Sequence, residues 1–358
     1  MQPPKTVRRL TAVALVLILG VTTAACGDDK KDTASTDSTS STAEKPVEVR
    51  LGYFPNITHA PAIIGDLGGF FEDRLGEGNL NASSYNAGPE AVAALFADAI
   101  DMSFIGPNPA INAYAQSAGA AIRIVSGTTS GGAFFVVKDG ITEPADLKGA
   151  KIATPQLGNT QDVALRAWLA DNGLSADSAG GGEVSIVPQA NGDALTAFLD
   201  GQIDGAWVPE PWATRFTQEG GAHVLVDEAT LWPKGQYVTT QLVVRTEFLD
   251  AHPQAVKHVI EGLADAVDLT QSDPTKAKEL TNEGIAAITA KPLSASVLEA
   301  AWENLHFTLD PIALSLQKSA EDAEAAGLLE PVDLKGIYDL KLLNQVLADR
   351  DEAAVKGL

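Results

Sequence analysis

Residues 203–212, Ile203-Asp204-Gly205-Ala206-Trp207-Val208-Pro209-Glu210-Pro211-Trp212, decide the reading of the fold, because an earlier stretch echoes them. Residues 88–110 read GPEAVAALFADAIDMSFIGPNPA, and residues 191–213 read NGDALTAFLDGQIDGAWVPEPWA. A shift of 103 positions pairs Ile100-Asp101 with Ile203-Asp204 and Phe104 with Trp207. It also sets Pro107-Asn108-Pro109-Ala110 against Glu210-Pro211-Trp212-Ala213. Each copy reads as a helix, a tight turn, a short apolar strand and a proline-marked start of another helix. Two copies of one strand-to-helix elbow predict two similar lobes, each aiming a helix N-terminus at a shared cleft. That arrangement suits a ligand trap.

Length and composition set the bounds. The chain has 358 residues, 45% apolar and 20% charged, an ordinary globular mixture long enough for about two domains. Its net charge is −22. Without residues 1–25, which hold Lys5, Arg8 and Arg9, 22 basic side chains face 47 acidic ones, a balance of −25. So acidic a surface repels a phosphate backbone, which excludes nucleic acid as a partner. A small anion gains no long-range attraction either, so local donors must hold one. The single cysteine, Cys26, rules out an intrachain disulfide.

Cys26 closes an export signal. Lys5, Arg8 and Arg9 form a basic region, LTAVALVLILGV from Leu10 is apolar, and Thr23-Ala24-Ala25 are small. The apolar run is short for a bilayer span. The segment resembles a bacterial lipoprotein signal, with Thr23 where that motif usually has Leu, and the resemblance implies a lipid on Cys26. Residues 1–25 are therefore read as the signal and residues 26–46, polar and Ser/Thr-rich, as a flexible tether.

From Val47 the pattern is globular. VEVRLGYF alternates like a strand, and Pro55-Asn56-Ile57-Thr58 breaks it. Thr58 is expected to cap a helix from His59 to about Phe71. After the first elbow, AIRIVSG reads as a strand, Thr128–Gly132 as a loop and AFFVVK as another strand. KIATP, the loop Gln156–Thr160 and the helical QDVALRAWLADNG then repeat the opening strand-loop-helix of the first lobe. TTQLVVRTEFL from Thr239 returns the chain, and from His252 onward it reads as almost wholly helical. Strands alternating with helices predict α/β lobes with largely parallel sheets. The expected division is 47–135 for the first part of lobe 1, 136–238 for lobe 2, and 239–358 for the return and the C-terminal helices. The crossings near 133–138 and 238–244 would form a hinge.

The sequence offers few enzyme motifs. The five histidines show no zinc spacing, and there is no Walker loop, dinucleotide Gly fingerprint or nucleophile elbow, so neither catalysis nor a cofactor or metal is expected. It offers instead four loops ending at helix N-termini: Asn56-Ile57-Thr58-His59, Asn108-Pro109, Asn159-Thr160-Gln161 and Glu210-Pro211-Trp212. Free backbone N–H groups and the positive end of a helix dipole favour an anion there. Thr58, Asn108 and Thr160 can add donors, as can Thr128 and Ser130, although each Thr or Asn could equally cap its own helix. His59 lies beside Thr58. Trp207 reads as core, whereas Trp212 at the elbow tip suits the wall of an apolar ligand tail. Glu210 would repel an anion, and is read as bonding a group across the hinge or receiving a ligand amine.

With these residues placed, the chain resembles the ABC-transporter solute-binding proteins of the nitrate/sulfonate/taurine type. The likeness runs from about Val47 to the last helices. It rests on GYFPNITHAPAIIG with GGFFEDRLG, IDMSFIGPNPA, DLKGAKIATP, GNTQDVALRAWL, IDGAWVPEPWA and FLDAHPQAVK. The resemblance implies an α/β, two-lobed type II periplasmic-binding-protein fold with a central cleft and a helical C-terminal part. It implies a monomeric, exported, lipid-tethered receptor that delivers a small oxyanion to a permease and its ATPase. An aliphatic sulfonate is the first expectation, with taurine or nitrate next. The other reading is a thiamine-precursor (pyrimidine) binding protein or an enzyme on the same scaffold.

Overall fold

Alternate residues along each strand face opposite sides, and here both sides are apolar, so both must be covered. The computed structural model describes residues 47–358; the signal, Cys26 and the tether read at 1–46 lie outside the described residues. Among the described residues the first sheet contains β1 (Val49–Tyr53), β2 (Leu80–Ser84), β3 (Met102–Ile105), β4 (Ile122–Gly131), β10 (Val238–Arg245) and β11 (Leu305–Phe307). The second contains β5 (Ala133–Val137), β6 (Lys151–Thr154), β7 (Ser185–Pro188), β8 (Gly205–Pro209) and β9 (His223–Asp227).

The two sheets share one plan. In the first, β2-β1-β3 run parallel, and β10 joins β3 antiparallel. In the second, β7-β6-β8 run parallel, and β5 joins β8 antiparallel. The sheets are thus mixed rather than largely parallel. The antiparallel members are the strands by which the chain enters one sheet from the other, so their direction follows from the crossing.

Each sheet has an apolar cluster on either face. Val49, Leu51, Phe104, Leu242 and Val244 pack on one side of the first sheet, while Ile105, Ile122, Ile124 and Val243 pack on the other. In the second, Phe135, Val137, Ile152 and Trp207 oppose Phe134, Val136, Ala153 and Val208. Trp207 is fully buried, stacks on Phe135 at 5.4 Å and donates its Nε1–H to Glu228, which fits its reading as core.

Three local expectations need correction. Thr128–Gly132 is not a loop: β4 runs to Gly131, and Thr129 and Ser130 pair with Phe307 and His306 of β11. The three-residue β11 interrupts the part read as almost wholly helical. The helix expected from His59 to Phe71 is a 3-10 turn (Ile57–His59) and two helices (Ala60–Leu67 and Phe70–Leu75), parted at Gly68-Gly69, where Gly69 takes φ +78°. Thr58 lies inside the 3-10 turn and caps nothing.

The crossings are tied to each other. Gly131 and Gly132, both with positive φ (+82° and +74°), turn the chain from β4 into β5. Tyr237, just before β10, accepts the Ala133 N–H on its hydroxyl, and Thr239 Oγ1 donates to the Gly131 carbonyl at 2.6 Å. The helix Ala313–Ala325 packs against both Pro107–Gln116 and Thr160–Asp171, and so touches helices that flank different sheets.

Candidate functional site

The carboxyl ends of the parallel strands meet at a cavity of about 30 Å³ between the sheets. Phe54, Asn86 and Gly106 follow β1, β2 and β3; Pro155 follows β6, and Pro209 ends β8. Ligands in open α/β sheets bind outside the carboxyl ends of the strands, because the following helices begin there. Five such beginnings line this cavity: the 3-10 turn at Ile57 and the helices starting at Gly88, Pro107, Thr160 and Asn191. The repeat explains two pairs. Gly88 and Asn191, like Gly106 and Pro209, stand 103 positions apart, and all four line the cavity. Thr239 and Thr240 of β10 complete the wall.

Among the described residues no lysine, arginine, aspartate or glutamate lines it. His59 is fully buried beside Phe54, with ring centroids 4.3 Å apart, and burial pushes its pKa down to about 3. The ring is therefore neutral. Phe54 N–H donates to Nδ1 at 3.4 Å, which assigns the ring proton to Nε2 and makes that atom a donor. Asn191 Oδ1 and Thr240 Oγ1 are buried without a hydrogen-bond partner among the described residues. Buried polar atoms normally have partners; the Thr240 hydroxyl can donate to a bound oxyanion, as can the Asn191 amide when its Nδ2 is turned inward. Helix N-termini supply partial positive charge and free N–H groups. The arrangement suits holding a small oxyanion by neutral donors. It contains no paired acid and base.

The sequence-derived residues divide. Asn56, Thr58, His59, Pro109, Asn159, Thr160 and Gln161 line the cavity. Asn159 caps its helix by accepting Asp162 N–H on Oδ1 at 3.1 Å, and its Nδ2 donates to Gln161 Oε1. Thr160 projects across to the first lobe, where its Oγ1 would stand 2.4 Å from a Cβ at Gly106. Behind this loop Asp162 is buried with Arg166; its carboxylate accepts from Arg166 Nε, Thr154 Oγ1 and Gly158 N, all near 3.0 Å.

Five residues do not line the cavity. Asn108 spends its Nδ2–H on the Ser319 carbonyl at 2.9 Å, because the helix Ala313–Ala325 lies against it. Thr128 and Ser130 lie buried in β4, held there by strand pairing. Glu210 accepts from Thr214 N and Oγ1 and from Asn304 Nδ2 at 2.7 Å, so it bonds a group near the crossing rather than a ligand amine. Burial raises its pKa, against those hydrogen bonds. Trp212 lies at the cavity edge, where its Nε1–H donates to Asn56 Oδ1 across the cleft at 2.9 Å. Sequence reasoning missed Asn86, Gly88, Gly106, Asn191, Thr239 and Thr240. The repeat held the signal for Gly88 and Asn191; the two β10 threonines sit in a strand that reads simply as core.

A family model described as NMT1-like matches residues 42–284, well over half of the sequence. The chain belongs to the NMT1-like family. Proteins similar to it include a Bacillus subtilis protein provisionally named an aliphatic sulfonates-binding protein, 25% identical over 84% of this chain and 89% of that one. The taurine-binding periplasmic protein of Escherichia coli is 28% identical over 51% of this chain and 54% of its own length. The alkanesulfonate-binding protein SsuA from Xanthomonas axonopodis pv. citri, solved bound to MOPS, superposes with a TM-score of 0.66 at 23% identity. That match covers 81% of this chain and 96% of the SsuA chain, and it bears on the fold alone. The NMT1-like chain thus has the two-lobed type II periplasmic-binding-protein fold, one lobe per sheet, and the resemblance to the nitrate/sulfonate/taurine type holds. Among the described residues no helix is long and apolar enough to cross a membrane, and no group of three or more His, Cys, Asp or Glu is placed to hold a metal ion.

Proposed function

We propose that this chain is the extracytoplasmic solute-binding component of an ABC importer, capturing a small oxyanion between its lobes and handing it to a permease. It is not an enzyme in this reading, and it works as a monomer tethered to the outer face of the membrane by a lipid on Cys26. The observation that carries the proposal is the uncharged cavity at which helix N-termini of both lobes converge. An aliphatic sulfonate is the first ligand, in keeping with the names of the relatives. Nitrate is the second reading, as a small oxyanion that the same neutral donors could hold. Calorimetric titration with methanesulfonate, taurine, nitrate and a hydroxymethylpyrimidine tests the proposal. Binding of one of the first three supports it; binding of the pyrimidine alone rejects it.

A further inference from the structure

Two Asn-Gly pairs occur in the sequence, Asn172-Gly173 and Asn191-Gly192. An asparagine before a glycine is open to a reaction of its own, in which the glycine nitrogen attacks the side-chain carbonyl with no Cβ to obstruct it. Exposure alone favours Asn172, which lies on the surface at the C-cap of the helix Thr160–Asp171. Hydrogen bonding reverses that order. Asn172 donates its Nδ2–H to the Trp168 carbonyl at 2.8 Å, and the Gly173 N–H donates to the Ala170 carbonyl at 3.0 Å. Both reacting groups are held. At Asn191 neither is. Asn191 opens the helix Asn191–Leu199, so the Gly192 N–H has no intrahelical acceptor, and it has none elsewhere among the described residues. The Asn191 side chain is 6% exposed and makes no hydrogen bond among the described residues. It borders a polar cavity large enough to hold the water that the second step of the reaction consumes. Gly192 also loosens the first turn, because glycine is a poor helix former.

We propose that Asn191-Gly192 is a self-modifying site whose reaction closes the cavity to anions. The Gly192 nitrogen forms a bond to Asn191 Cγ, the Cγ–Nδ2 bond breaks, and ammonia leaves with the Gly192 proton. Water then opens the five-membered imide at either carbonyl, leaving aspartate or isoaspartate at position 191. Nothing is oxidised or reduced: one water enters and one ammonia departs. Attack requires the Gly192 nitrogen to lose its proton, so the rate follows hydroxide concentration. A neutral amide at the site becomes a carboxylate, which the helix N-terminus keeps ionised. The effect on function rests on reading the cavity as an oxyanion site. A like charge roughly 5 Å from the bound anion weakens binding about a hundredfold at an effective dielectric constant of about 20.

The test ages the full chain at mildly alkaline pH and maps its peptides by mass spectrometry. The mass gain of one deamidation is expected at Asn191 before Asn172. In Gly192→Ala the gain at position 191 should slow several-fold. That residue is helical, and an added Cβ meets only the Trp212 ring, at an ordinary 3.5 Å. The modified fraction, separable by its extra negative charge, should bind methanesulfonate, taurine or nitrate about a hundredfold more weakly than fresh protein. A gain at Asn172 first, no gain at Asn191, or an unchanged rate in Gly192→Ala rejects the site. Equal affinity of the fresh and modified fractions rejects its effect on the cavity. If fresh protein binds none of the three anions, the oxyanion reading fails, while the peptide map still decides the fate of Asn191.

Discussion

Thr160 owes its position to a residue without a side chain. Its hydroxyl reaches from the second lobe to the strand end of the first only because Gly106 leaves the space, and a Cβ there would stand 2.4 Å away. Among the described residues that hydroxyl has no protein partner, so its hydrogen bond is free for a ligand. A hydrogen bond to a charged group contributes roughly 1.5–3 kcal/mol. Thr160→Ala is therefore expected to weaken oxyanion binding about ten- to a hundredfold by titration calorimetry, with the melting temperature nearly unchanged. Lys234, exposed and outside the cavity lining, should give close to wild-type affinity as Lys234→Ala. Two buried groups set the pH dependence of stability with opposite signs. The folded pKa of His59, about 3, lies below its ordinary 6.5, so its contribution is complete above 6.5 and is lost as pH falls. The loss reaches up to about 1.4 kcal/mol per pH unit. Burial raises Glu228 from 4.5 to about 7, against the Trp207 N–H bond, so its contribution is complete below 4.5 and is lost as pH rises through 7. Between pH 4.5 and 6.5 the two oppose each other, and wild-type stability should vary little there on their account. In Glu228→Gln the offset disappears, and urea midpoints should decline from pH 6.5 downwards; an unaltered profile would remove Glu228 from this account. At this scale the sequence marks Thr160 as a hydroxyl at a helix start, and the structure places it on the cavity wall; Thr58 also lines the cavity, but from inside a 3-10 turn rather than as a cap. It misplaced Asn108, whose partner Ser319 is 211 positions away and leaves no local trace.

The helix Thr160–Asp171 shows what an element needs to hold such a residue in place. Its first turn is fixed by Asn159 at the N-cap and by the buried Asp162–Arg166 pair, with side chains 0% and 2% exposed. Arg166 also donates to the Asp177 carbonyl, which anchors the helix to the loop beyond it. Removing one member of a buried pair leaves the other uncompensated, which typically costs 3–5 kcal/mol. Arg166→Met is expected to lose about that much by urea denaturation. Asp162→Asn combined with it should recover part of the loss, and strict additivity of the two changes would argue against a coupled pair. The i,i+4 spacing of Asp162 and Arg166 is visible in the sequence, but their burial is not, because it comes from packing that one helix does not reveal. The elbows were legible in the same partial way. Their strand-to-helix pattern predicts two similar lobes and marks the second helix of each copy, at Pro107 and Trp212. The first helices, at Gly88 and Asn191, begin at the cavity as well, because the strands before them also end at the cleft. Thr128 and Ser130 were misread because Gly131-Gly132 resembles the end of a loop. The glycines mark a turn, while the hydroxyls belong to the strand before it.

The whole molecule joins an acidic exterior to an uncharged interior site. Much of its architecture was legible, since a 23-residue stretch recurs 103 positions later and strands alternate with helices along the chain. The antiparallel direction of β5 and β10 was not, because strand direction depends on how the chain crosses between lobes. Charge placement has a kinetic consequence. A protein of net charge −22 repels an arriving anion over roughly a Debye length, about 10 Å at 0.1 M salt. The cavity that receives the anion holds it through short-range donors on which salt has little purchase. Arrival and departure therefore answer to different forces. Raising ionic strength with a non-binding salt should speed association, measured by stopped-flow fluorescence, while leaving dissociation almost unchanged. A binder built around a lysine or arginine would show the reverse dependence of its association rate. On this account the protein captures its anion faster in brine than in fresh water.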